Sequence, residues 1–131
     1  MKKLLLIAFM MVAAVLVLAA CGENKSDNTN TGAGAGVEET GTAASTKITI
    51  KAKRYEFEKP VYTIKKGEPT EITLKSEDGI HGIEVSDLNG LKIDSDKPKV
   101  VTINEPGEYE FHCDIMCGSG HSKMIAKLVV E

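Results

Sequence analysis

Cys113-Asp114-Ile115-Met116-Cys117-Gly118-Ser119-Gly120-His121-Ser122-Lys123-Met124 brings two thiols, an imidazole and a thioether together at the spacing C-x3-C-x3-H-x2-M. All four are soft or borderline metal ligands, and none is a carboxylate. Such a set selects copper or zinc over magnesium, calcium or manganese. Gly118 and Gly120 let the backbone turn tightly enough for a short loop to aim its side chains at one point. A second imidazole, His81, lies upstream.

Outward from this stretch, apolar residues alternate with polar ones. Tyr109, Phe111 and Cys113 follow a Pro106-Gly107 turn, and Met124, Ala126, Leu128 and Val130 follow the loop. The same period of two runs through Ile48, Ile50 and Ala52, through Ile72 and Leu74, and through His81, Ile83 and Val85. Short strands of this kind between Gly- and Pro-marked turns predict an all-β sandwich or barrel. No helix-length apolar stripe appears in the stretch from Thr46 onward. Side chains on a strand alternate faces. His81 has the parity of Ile83 and Val85, and Cys113 that of Tyr109 and Phe111, so both are expected to point inward. His112 shares its face with Glu108 and Glu110 and is expected at the surface, outside any metal site.

The loop resembles the binuclear copper loop, called CuA, of cytochrome c oxidase subunit II and of nitrous oxide reductase. That loop reads C-x3-C-G-x2-H-x2-M, with a distant histidine before it. The organisation of 46–131 is similar to that of cupredoxins, Greek-key β-sandwiches with an early histidine on one strand and the other ligands between the last two strands. The resemblance implies two copper ions sharing Cys113 and Cys117, with His81 on one and His121 on the other. It makes Met124 a weak axial ligand and the Ile115 carbonyl a backbone ligand. The family often has Glu or Gln at the position of Ile115, a change that a backbone ligand tolerates. The implied function is electron transfer, with a redox protein such as a cytochrome c or a terminal oxidase as partner. A site closed by protein ligands leaves no position for a substrate, so no enzyme is expected.

Other readings of the same residues remain open. His81, Cys117, His121 and Met124 alone make a mononuclear blue-copper set with one ion. A copper-delivery or copper-buffering lipoprotein would use similar ligands. Cys113, Cys117, His121 and His81 make a structural zinc set, and the two loop cysteines can also pair as a disulfide outside the cytoplasm. Subunit II of the oxidase carries its own transmembrane anchor and a tryptophan thought to receive electrons. This sequence has no tryptophan, and a free-standing, tethered form of the domain fits it better.

The 131 residues carry a net charge of −3 without a long basic run, which argues against a nucleic-acid partner. Met1-Lys2-Lys3 precedes an apolar run from Leu4 to Leu18 and then Leu18-Ala19-Ala20-Cys21. This reads as a signal peptide over 1–20 and resembles a bacterial lipobox, which makes Cys21 the lipid attachment site. Residues 21–45, rich in Gly, Asn, Thr, Ala and Ser, are expected to be a disordered linker reaching roughly 25–30 Å. Residues 46–131 would be the folded domain, held outside the cytoplasm at the membrane. Expressed in a bacterium, the protein should partition into detergent with the membranes, and Cys21→Ala should release it or block processing. Membrane retention with an intact leader would overturn the lipoprotein reading.

Overall fold

The structure, a computed structural model, describes residues 36–131. The leader and lipobox, including Cys21, lie outside the described residues. Among the described residues ten strands form: β1 (Val37–Glu39), β2 (Thr46–Lys53), β3 (Glu56–Phe57), β4 (Val61–Ile64), β5 (Thr70–Ser76), β6 (Gly82–Val85), β7 (Leu91–Asp94), β8 (Lys99–Ile103), β9 (Gly107–His112) and β10 (Ile125–Val130). A 3-10 turn, His121–Lys123, precedes β10. No helix among the described residues is long and apolar enough to cross a membrane.

The strands make two sheets, ordered β1-β8-β5-β2-β3 and β4-β10-β9-β6-β7. Pairing is antiparallel except for β2 with β5 and β4 with β10. The chain crosses between sheets repeatedly, which is how sequence-distant strands such as β6 and β9 become neighbours. This is an all-β sandwich, one of the two forms that the alternation predicts and the one that the cupredoxin resemblance implies. Ile50, Leu74 and Val101 face inward from the first sheet, Ile83, Phe111 and Leu128 from the second, and all six are buried. Phe111 is the central side chain. Phe57 meets it edge-on at 5.0 Å between ring centroids, and Tyr62 lies 6.0 Å away on a tilt. A buried phenylalanine of this kind stabilises a fold by about 3–5 kcal/mol relative to alanine.

β9 decides where the loop begins. The Tyr109 hydroxyl donates to the Glu105 carbonyl at 2.9 Å and pins the turn that starts the strand. Tyr109 pairs with Leu128, and Phe111 with Ala126, so the inward parity runs on to Cys113.

Strand β1 falls within residues 21–45, the stretch that the sequence reads as linker. Val37 to Glu39 pair with Ile103 to Val101 of β8. The Gly36 carbonyl accepts from Asn104 N–H at 3.0 Å, and Lys99 meets Glu39 at 3.1 Å. A strand of three residues is too short to show a period. Its order comes from the free edge of β8 and from Val37 packing against the core, neither of which composition can report.

Between β1 and β2 the chain is clasped by Glu68, whose carboxylate accepts from Ser45 Oγ at 3.0 Å and from Thr46 Oγ1. These bonds, that of Thr46 first, hold the Glu68 pKa below its usual 4.5. A depressed folded value means that the clasp stabilises the fold above the ordinary carboxylate range and is lost as the pH falls through the folded value. Thr46→Ala should move the Glu68 titration back towards 4.5 in an NMR pH series, and Ser45→Ala should move it less. An unchanged titration in Thr46→Ala would show that the clasp does not form.

Candidate metal centre

Three elements deliver the candidate ligands to one end of the sandwich. His81 stands at the entry to β6, fully buried. Cys113 prolongs β9 by one residue, and its N–H donates to the Met124 carbonyl at 3.1 Å, which continues the β9–β10 ladder across the loop. The loop between them is shaped by 3-10 bonds from His121 N–H to Gly118 O (3.1 Å), Lys123 N–H to Gly120 O (3.0 Å) and Met124 N–H to His121 O (3.1 Å). Gly118 has φ 135°, a conformation that glycine adopts without strain.

The side-chain atoms converge. Cys113 Sγ lies 3.8 Å from His81 Nδ1 and 3.8 Å from Cys117 Sγ. Cys117 Sγ lies 3.8 Å from His121 Nδ1 and 3.4 Å from Met124 Sδ. The Ile115 carbonyl accepts from the Cys113 thiol at 3.2 Å. His81, Cys113 and Cys117 offer donor atoms all within 4.8 Å of one another. Met124 is fully buried, and Cys117 and His121 are half-buried. His112 is half-buried as well, but it sits opposite Glu84 and Ile125 in the ladder and takes no part in the cluster.

Each imidazole is presented by its Nδ1. For His81 a second contact settles the tautomer: Nε2–H donates to the Asp78 carbonyl at 2.8 Å, leaving Nδ1 with its lone pair free. Ser95 Oγ donates to the His81 carbonyl at 2.8 Å and fixes the backbone that carries the ring. Burial pushes the Cys117 thiol pKa up, and the hydrogen bond and charge of Cys113 add to the shift. A metal that takes this sulfur as thiolate therefore displaces a proton, and ligation strengthens as the pH rises.

Two thiols, two imidazoles, a thioether and a carbonyl form a soft donor set, suited to copper. The two sulfurs are free thiols. Their 3.8 Å separation matches the ~3.8 Å edge of a tetrahedron with metal–sulfur bonds of about 2.3 Å. The residues present therefore fit a metal held jointly by both sulfurs.

Spacing alone did not reveal several residues that hold the cluster. Asp78 orients His81. Lys92 binds Asp114 at 3.2 Å and Glu84 at 3.1 Å, tying the first residue of the loop to the second sheet. Gly82 leaves the room that the Asp114 carboxylate fills, since a Cβ there would overlap it. Tyr55 packs on the loop from the other sheet. All are ordinary residue types whose part depends on the fold.

The profile of the cupredoxin-like domain family matches residues 8–130. The chain belongs to the cupredoxin-like family. No curated protein matches it. Among solved structures, this cupredoxin is similar to the periplasmic domain of subunit II of cytochrome oxidase (CoxB) of Bradyrhizobium japonicum. The TM-score is 0.61 and the identity 15%, over 69% of this chain and 86% of that one. A chain of a heme-copper terminal oxidase dimer matches with TM-score 0.54 and 22% identity, covering 99% of this chain and 96% of its own. A variant of amicyanin in its reduced state matches with TM-score 0.50 and 19% identity, over 72% and 98% of the two chains. At these identities the likeness is one of fold.

The geometry separates His81, whose ring meets Cys113, from His112, which only precedes Cys113 in the chain. His81→Ala should abolish stoichiometric copper uptake, measured by metal analysis after loading and desalting. His112→Ala should load like the parent. The reverse pattern would mean that the strands carrying them are out of register by one residue, which flips every side chain to the other face.

Proposed function

We propose that this cupredoxin is an electron carrier whose centre holds two copper ions between Cys113 and Cys117, in the manner of CuA. The observation that carries the proposal is the run His81 Nδ1, Cys113 Sγ, Cys117 Sγ, His121 Nδ1, each atom 3.8 Å from the next. Two sulfurs side by side, each with its own imidazole, make two half-sites. The Met124 thioether beside Cys117 and the Ile115 carbonyl beside Cys113 add one weak donor to each half. Six donors exceed the four of a tetrahedral zinc site, so a single zinc would leave some of them unused.

Bound copper supplies a one-electron couple. The chain's contribution is to hold the donors still, because a centre whose bonds change little with oxidation state exchanges electrons at low reorganisation cost. His81 is clamped at both ring and backbone by Asp78 and Ser95. Cys113 is locked into the ladder, and Met124 is fully buried. His121 keeps part of its surface at solvent, so the partner's approach is to the loop side of the centre. Every donor comes from protein, which suits transfer of electrons better than catalysis on a substrate.

A redox protein of the cytochrome c or terminal oxidase class fits as partner. The fold shared with oxidase subunit II supports that choice. The Leu18-Ala19-Ala20-Cys21 motif supports an extracytoplasmic position, with the domain tethered to the membrane through acylated Cys21. The contacts of Cys117 with His121 and Met124 also suit a mononuclear blue-copper carrier completed by His81, and a copper-delivery protein would show the same ligands without a partner that accepts electrons.

Copper content and colour distinguish these. The loaded protein should hold two coppers per chain, appear purple and give a mixed-valence electron paramagnetic resonance signal. Cys113→Ser should keep the fold, lose that signal and drop to about one copper, because the remaining set is that of a mononuclear site. One copper in the parent, with a spectrum that Cys113→Ser leaves unchanged, would replace the binuclear reading with the mononuclear one.

A further inference from the structure

Gly118 and Gly120 are glycines for different reasons. At Gly118 the backbone itself is in a glycine conformation, φ 135°. Gly120 has φ −95° and ψ 4°, which other residues adopt. What excludes a side chain there is Tyr55. A Cβ on Gly120 would overlap Tyr55 Cβ, Cγ and Cδ2. A Cβ on Gly118 would come within 2.5 Å of the Tyr55 hydroxyl and 2.8 Å of Cε1. One aromatic ring thus lies flush against the backbone on both sides of Ser119.

Tyr55 belongs to the turn between β2 and β3, in the sheet that contributes no ligand. Its neighbour in that turn reaches the other arm of the centre. Arg54 N–H donates to the Asp78 carboxylate at 2.6 Å, and the Asp78 carbonyl receives Nε2–H of His81 at 2.8 Å. A Cβ on Gly79, beside Asp78, would lie 3.5 Å from both Arg54 Nε and His81 Nε2, so the same turn is close to the His81 ring. The 3-10 bonds of the loop set its internal shape. They do not set its place relative to the first sheet.

We propose that Tyr55 is a positioning residue for the metal centre. Its ring is the platform that places the Cys117–His121 segment, while Arg54, through Asp78, places His81. One turn of the opposite sheet thereby holds the two imidazoles in register across the two sulfurs. This rests on the copper reading of the site, whereas the packing of Tyr55 on Gly120 does not depend on any metal.

The test is a double-mutant cycle in the full chain with Gly120→Ala and Tyr55→Ala, read by thermal unfolding without metal and by the visible spectrum and affinity with copper alone. Gly120→Ala should lower the unfolding midpoint of the copper-free protein, and the loss should shrink on the Tyr55→Ala background, because the overlaps with Cγ and Cδ2 go with the ring and only that with Tyr55 Cβ stays. Tyr55→Ala should still unfold cooperatively, yet shift the visible bands and weaken copper binding by roughly ten- to a hundred-fold, the range for residues that orient ligands. Tyr55→Phe, which keeps the ring, should restore the parent's spectrum. If Tyr55→Ala does not fold, Tyr55→Leu, which keeps the atoms nearest Gly120 but not the ring, replaces it for the spectrum and the copper affinity, and should shift the one and weaken the other. Equal damage from Gly120→Ala in both backgrounds would overturn the proposal, and so would a parent-like spectrum and affinity in Tyr55→Ala. A chain that takes up no copper would remove the proposed function. The copper-free cycle would then still decide whether Tyr55 places the loop.

Discussion

The hydrogen bond from Cys113 N–H to the Met124 carbonyl, 3.1 Å long, closes the loop on which the candidate centre depends. It is one more rung of the β9–β10 ladder, placed where the strands have already parted company as regular structure. Closing a loop costs chain entropy. Here the cost is met by two strands that pair over six residues from Ile125 to Val130 and are anchored in the core through Phe111 and Leu128. Both ends of the loop therefore arrive with defined parity. Cys113 and Met124 turn inward together, and the residues between them have only a short path on which to present Cys117 and His121.

Around this closure the supporting contacts are of two kinds. Some are partly buried and directional: Asp78 to His81, Ser95 to the His81 backbone, and the Cys113 thiol to the Ile115 carbonyl. These fix orientation, since moving any donor would leave a buried polar group without a partner. Others reach the surface, such as exposed Lys92 with the half-buried carboxylates of Glu84 and Asp114. Lys92, Asp114 and the space over Gly82 guide the path of the chain between Cys113 and Ile115. A copper electron carrier needs this kind of structure, because ligands held before the metal arrives need not move when its charge changes.

The two glycines of the loop show how one residue type can have two causes. Gly118 is required by its own backbone angles, which local geometry imposes. Gly120 is required by a ring more than sixty residues away in the chain. Likewise the three-residue strand β1 follows from the exposed edge of β8 and not from its own sequence. Both belong to contacts between segments whose spacing in the chain carries no information about their meeting.

Period-two alternation by itself determined an all-β sandwich or barrel and the inward parity of His81 and Cys113, because successive side chains on a strand must take opposite faces. The C-x3-C-x3-H-x2-M spacing determined which residue types meet at the loop, since so short a segment cannot scatter them. Only the tertiary structure decided the rest. It brought His81 to Cys113 by pairing β6 with β9, chose Nδ1 through the Asp78 carbonyl, drew residues 36–45 towards the domain, and laid Tyr55 against the loop. Those outcomes depend on which strand edges and surfaces become neighbours when the two sheets pack. That is a property of the whole chain's burial, and no local pattern encodes it.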